Sequence, residues 1–168
     1  MKEPEGNSIE YIQANNAPMA GFYSHAVVVD PRDYDLFFLA GQTGNMPGVE
    51  LEPVIDGGLG PQTTQTLENI LAVVEAAGGN IDHIVELKVF LKDSEETGQA
   101  KWFARTDART TFAAAYMEFF QSRGRSKEAN NLPARTMMWV SEVPFEYPTE
   151  DTLIEITAMV AIPRTNRI

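Results

Sequence analysis

Between Leu153 and Ala161 the chain alternates residue by residue. Ile154, Ile156, Ala158 and Val160 fall on one side of an extended backbone, and Glu155, Thr157 and Met159 on the other. A strand of this kind belongs in a sheet with one dry face, and the chain must supply the cover for that face. Two segments have helical period. Leu67, Ile70, Leu71 and Val74 recur at i, i+3, i+4 and i+7, with Pro61 just before them and Gly78-Gly79 just after. Phe112, Tyr116, Phe119 and Phe120 form the apolar stripe of a second helix, from about Trp102 to Phe120. Aromatics at that spacing read as core.

The remaining strand signals complete the order. Tyr23–Val29 and Leu36–Ala40 flank the polar turn Asp30-Pro31-Arg32-Asp33 and read as a hairpin. Ile84–Leu91 and Thr136–Ser141 are rich in apolar and β-branched residues. The predicted fold is α+β, with the order β-β-α-β-α-β-β, a mixed sheet and both helices on one face. Nothing in one chain then covers the other face, which predicts self-association. Residues 1–16 read as a polar arm, 17–163 as a single domain and 164–168 as a short tail. Thr43–Pro61, which includes the glycines at 57, 58 and 60, and Gln121–Leu132 read as loops.

Composition removes several classes of function. The formal net charge is -11, and a chain this acidic repels a phosphate backbone, so nucleic acid is disfavoured as a partner. There is no cysteine, hence no disulfide, thiolate nucleophile or Cys-based metal site. The first residues lack a basic and an apolar region, and no apolar run reaches the roughly 20 residues that span a bilayer. The expected location is the cytoplasm.

No phosphate-binding loop, zinc-protease helix or serine-hydrolase elbow is present. Two histidines, His25 and His83, cannot build a three-histidine metal site. His83 reads as a surface residue at a strand start, and His25 is singled out by its neighbour Tyr23. More informative are two charges on the C-terminal strands, which are expected side by side. Arg135 shares a strand face with Met137 and Trp139, and Glu155 interrupts an apolar strand. A half-buried arginine needs an anion, supplied by a protein carboxylate or by a ligand. Periodicity leaves both open, including a pair between Arg135 and Glu155.

Six stretches in order resemble one family. They are Leu39-Ala40-Gly41-Gln42-Thr43, Leu67-Glu68-Asn69-Ile70 with Val74–Gly78, Val89–Asp93, Tyr116–Phe120, Pro133-Ala134-Arg135-Thr136 and Ile154-Glu155-Ile156. Together they span about Asn16 to Ile162 and resemble the RidA/YjgF enamine and imine deaminases. The resemblance implies a chorismate-mutase-like trimer with sites in the clefts between subunits, and hydrolysis of 2-imino or 2-enamino acids to 2-keto acids plus ammonia. It implies no cofactor and no metal. Arg135 would clamp the substrate carboxylate, Glu155 would hold the attacking water, and Tyr23 would orient the substrate. Gly41, Met137, Trp139 and His25 would help to frame the pocket.

The chain departs from the family at Phe22, His25, Ala40, Ala113 and Met137, and in a longer stretch from Asp93 to Thr111. These changes spare Arg135 and Glu155 but bear on substrate. An aminomuconate- or aminoacrylate-type catabolic deaminase, or a non-catalytic binder of small carboxylates, remains as an alternative. Some relatives have been called ribonucleases, a role that the charge of this chain opposes.

Overall fold

The computed structural model describes residues 9–18, 21–143 and 151–164. The chain runs β1 (Glu10–Ile12), β2 (Ala26–Val28), β3 (Tyr34–Phe38), β4 (Gln42–Thr43), α1 (Leu59–Ala76), a 3-10 turn (Ile81–His83), β5 (Ile84–Lys92), α2 (Gly98–Gln121), β6 (Ala134–Val140) and β7 (Ile154–Pro163). The first eight residues of the expected arm and the expected tail beyond Arg164 lie outside the described residues.

The main sheet has the order β3-β7-β5-β6, and β4 also pairs with β7. It is mixed, as predicted. The β5–β6 pair is parallel, and the pairs of β7 with β3, β4 and β5 are antiparallel. Helix α2 is the crossover that a parallel β5–β6 pair requires. Leu87, Val89 and Leu91 of β5 and Ile154, Ile156 and Val160 of β7 point to one side. There they meet Leu67, Ile70 and Val74 of α1 and Phe112, Tyr116 and Phe120 of α2 in one core. Both helices therefore cover the same face, and the aromatic stripe of α2 is core.

The expected hairpin does not form. A tight turn is present, with Asp33 N–H donating to Asp30 C=O at 3.1 Å, but its flanks part. Strand β2 pairs with β1, which lies in the expected polar arm, and β3 pairs with β7. The reason is burial. Beside β7, Phe37 packs against the main core, and β1–β2 bring Ile9 and Val27 against a second small cluster of Tyr34, Val85 and Ala161.

The Gly/Pro-rich loop is partly ordered structure. It carries β4 and the first turn of α1, which starts before Pro61 and includes Leu59 and Gly60. Pro61 occupies a first-turn position whose N–H has no helical partner, so it is tolerated. At the other end Gly78 takes φ 85°, and Gly79 N–H donates to Val74 C=O at 2.9 Å, which stops the helix.

The far face of the sheet carries Leu36, Phe38, Phe90, Met138 and Met159 together with polar residues. Phe38 is 74% exposed there. No helix among the described residues is long and apolar enough to cross a membrane.

Candidate active site

Strand β6 sets the site by its alternation. Arg135, Met137 and Trp139 are the neighbours of Leu87, Val89 and Leu91, so all three face the helices. With Tyr23 they line a cleft of about 1120 Å³ whose opposite wall is α2. That wall is a second stripe of the helix, Trp102, Thr106, Arg109, Ala113 and Met117, distinct from its core stripe. The structure thus brings together Tyr23, Arg135, Met137 and Trp139.

Arg135 sits among aromatic rings at the base. Its Cζ lies 4.7 Å from the ring centroid of Tyr116, 5.1 Å from Phe112 and 5.2 Å from Tyr23. The rings hold the guanidinium plane without neutralising it. Its Nη1 is buried and has no hydrogen-bond partner, and the same is true of the Tyr116 hydroxyl. Burial pushes the pKa of Arg135 down and that of Tyr116 up. An arginine nevertheless keeps its proton near neutrality, so the base of the cleft holds a cation with an unused donor. Leaving such a donor unpaired costs about 1–3 kcal/mol, a deficit that a bound anion would remove.

The Trp139 wall is braced from behind. Arg105 grips Asp93 through two bonds, Nε to Oδ1 at 2.9 Å and Nη2 to Oδ2 at 2.6 Å, and its Cζ lies 5.3 Å from the Trp139 ring centroid. Lys101 also approaches Asp93, at 3.0 Å. The hydrogen bond from Arg105 is the main reason that the Asp93 carboxyl titrates well below the usual range. Arg105 is therefore committed to a protein carboxylate.

Glu155 is elsewhere. Strand β5 lies between β6 and β7, so the two C-terminal strands are not neighbours as expected. Arg135 pairs in register with Leu87 and Glu155 with Phe90, three positions apart, which puts their side chains on opposite faces. A pair between them within one chain is thereby excluded. The parallel crossover through α2 causes this arrangement, because it carries β6 to the outer edge of β5. Glu155 instead stands over Gly41, where an added Cβ would lie 1.8 Å from Oε1. A side chain at position 41 would displace that carboxylate from where it stands. Gly41 also lines a second cavity of about 400 Å³ beside α1.

His25 is in neither place. Its Nδ1 accepts from Ala14 N–H at 3.0 Å, so its Nε2 carries the proton and donates to Pro18 C=O at 2.7 Å. Both ring nitrogens are used in fastening the N-terminal segment. Arg109 and Trp102 were missed in the sequence. The signal for them was the three- and four-residue spacing of the second stripe of α2, hidden behind its stronger core stripe.

The family model for endoribonuclease L-PSP matches residues 14–162. The chain is 34% identical to a RutC family protein of Pyrococcus horikoshii over 151 residues, covering 89% of this chain and 95% of that one. It is 31% identical to a 2-iminobutanoate/2-iminopropanoate deaminase of Salmonella typhimurium over 149 residues, covering 88% and 94%. Among solved structures, the YjgF gene product of E. coli superposes with a TM-score of 0.57 at 29% identity, covering 92% and 98%. The fold and the order of matched residues agree with these relatives, and the chain belongs to the endoribonuclease L-PSP family, which includes the RutC, RidA and YjgF proteins.

Proposed function

We propose that this protein hydrolyses reactive 2-imino or 2-enamino acids to 2-keto acids and ammonia. The observation that carries the reading is the Arg135 guanidinium. It is half-buried at the base of a cleft, caged by three rings, with a buried, unpartnered Nη1 donor and no described carboxylate beside it. A small carboxylate bound bidentately fits that chemistry. Relatives at 30–31% identity bear the name 2-iminobutanoate/2-iminopropanoate deaminase, which supports the same substrate class.

In this reaction water adds to the electrophilic C=N carbon, the C–N bond then breaks, and the nitrogen leaves as ammonia. The protein has to position the acid and the water. In the proposal Arg135 fixes the carboxylate and Tyr23 orients the substrate. Glu155 accepts a proton from the attacking water and returns one to the departing nitrogen. Because Glu155 lies on the opposite sheet face, it must reach the Arg135 cleft of another copy. The apolar open face of the sheet, with Phe38 at its edge, favours assembly as a homotrimer with sites between subunits. The proposed setting is the cytoplasm, with no nucleic-acid partner.

The test is decay of 2-iminobutyrate, generated in situ by a threonine dehydratase, with wild type and Arg135→Ala. Acceleration by wild type that is lost in the variant is expected. Equal decay with both proteins and with none rejects the deaminase reading. Retained binding of 2-oxobutyrate in that event identifies a carboxylate binder without turnover, a reading favoured by the separation of Arg135 and Glu155 in a single chain.

A further inference from the structure

The cleft holds a second cation. Arg109 lies on the α2 stripe that faces Arg135, is exposed, and has no described carboxylate partner. Of the three arginines on the cleft wall or just behind it, Arg105 is committed to Asp93, whereas Arg109 and Arg135 are not. No acidic side chain is among the described lining residues. This is notable in a chain with 24 acidic and 13 basic residues, where carboxylates to pair with are plentiful. The two uncommitted cations repel each other, and Arg109 contributes to the lowered pKa of Arg135.

Geometry gives the spacing. Arg109 stands three residues before Phe112, whose ring centroid is 5.1 Å from the Arg135 guanidinium carbon. Three residues are about one helical turn, so Arg109 lies one turn along α2 from the ring that touches Arg135, and both line the same cleft. The cleft walls also carry the apolar side chains of Met117, Met137 and Trp139.

We infer that the cleft takes a dianionic substrate: a 2-imino or 2-oxo diacid whose reacting end is held by Arg135 and whose distal carboxylate is held by Arg109, with an apolar chain between. The inference rests on Arg135 being the carboxylate clamp of the proposed function. Arg109 is then a specificity residue, placed at the mouth where it selects for the second charge without touching the reacting carbon. Neutralising both cations with one ligand removes the repulsion between them, which two separate monoacids would do only at a higher entropic cost.

The experiment compares matched ligands by calorimetric titration of the full chain. 2-Oxopentanoate is set against 2-oxopentanedioate, and 2-oxohexanoate against 2-oxohexanedioate, so that each pair differs only in the distal carboxylate. Wild type is expected to bind at least one diacid on the order of tenfold more tightly than its monoacid. Arg109→Gln should bring that ratio close to one. Arg32→Gln, which removes the same charge from an exposed site paired with Asp30, should leave the ratio as it is. Diacids binding no better than monoacids, with both lost in Arg135→Ala, overturn the Arg109 assignment and leave the clamp intact. An unchanged ratio in Arg109→Gln also overturns it. If neither class binds in an Arg135-dependent way, the clamp itself is wrong and the inference falls with it.

Discussion

Arg135 and Glu155 stand on opposite faces of one sheet, because their β5 partners, Leu87 and Phe90, are three positions apart. A catalytic unit that uses both therefore joins two chains. Arg135→Ala and Glu155→Gln should each be inactive as homo-oligomers. Mixed and co-refolded in equal amounts, they should recover about a quarter of wild-type activity, the fraction of interfaces that receive an intact arginine from one chain and an intact glutamate from the next. Recovery of nothing from a mixture shown to exchange subunits would place both residues in one chain's site and refute the arrangement.

Gly41 gives the glutamate its room. An added Cβ at 1.8 Å from Glu155 Oε1 must push the carboxylate aside, whereas the backbone there needs no unusual conformation. Gly41→Ala should fold with a melting temperature near wild type and lose about 100-fold in turnover, as expected for removal of a general base. Affinity for 2-oxobutyrate should change little, since Arg135 is on the other face. A Gly41→Ala protein with full turnover would show that the position of Glu155 is unimportant.

Arg125 is a structural cation. It is 1% exposed and donates to the carbonyls of Asn131 at 2.7 Å, Ile81 at 2.5 Å and Ile84 at 3.2 Å, and to the Tyr11 hydroxyl at 2.8 Å. It ties β1 and the loop before β6 to the start of β5. Arg125→Met leaves several of these acceptors buried and unpaired, and should cost about 2–4 kcal/mol in chemical denaturation. Oxo-acid affinity of the remaining folded protein should stay near wild type. A loss below about 0.5 kcal/mol would mean that the acceptors find other partners.

His83 should make stability depend on pH. It is buried, and its Nδ1 accepts from Asn80 N–H at 3.0 Å in the turn that opens β5. Desolvation holds its pKa below the ordinary 6.5, so the folded state prefers the neutral ring. Its contribution is fully present above pH 6.5 and is lost as pH falls through the unfolded and then the folded value. Denaturation midpoints of wild type should drop between pH 7.5 and pH 5.5, and by less in His83→Gln. Parallel curves for the two proteins would assign the pH dependence to other groups.

Much of the fold was legible from period alone. The stripes Leu67–Val74 and Phe112–Phe120 and the alternation of Ile154–Val160 each have a single solution, because turning any of them outward exposes an apolar face. His83 was misread as a surface residue for the opposite reason. A histidine beside an aspartate carries no local sign of the 3-10 turn that buries it. The short strands were illegible on the same ground, since β1 and β4 have three and two residues and owe their existence to the partners they meet.

The sequence by itself determined which face of each long element is dry, and therefore that Arg135, Met137 and Trp139 share one strand face and that one sheet face lacks a cover. Tertiary structure alone decided the neighbours. It set β5 between β6 and β7, parted Arg135 from Glu155, and turned the second stripe of α2, with Arg109, towards the arginine at the base of the cleft. The physical reason is that side-chain period is a local property of the backbone. Strand order is settled by long-range pairing and by the handed crossover through α2, and neither leaves a mark in any short stretch of residues.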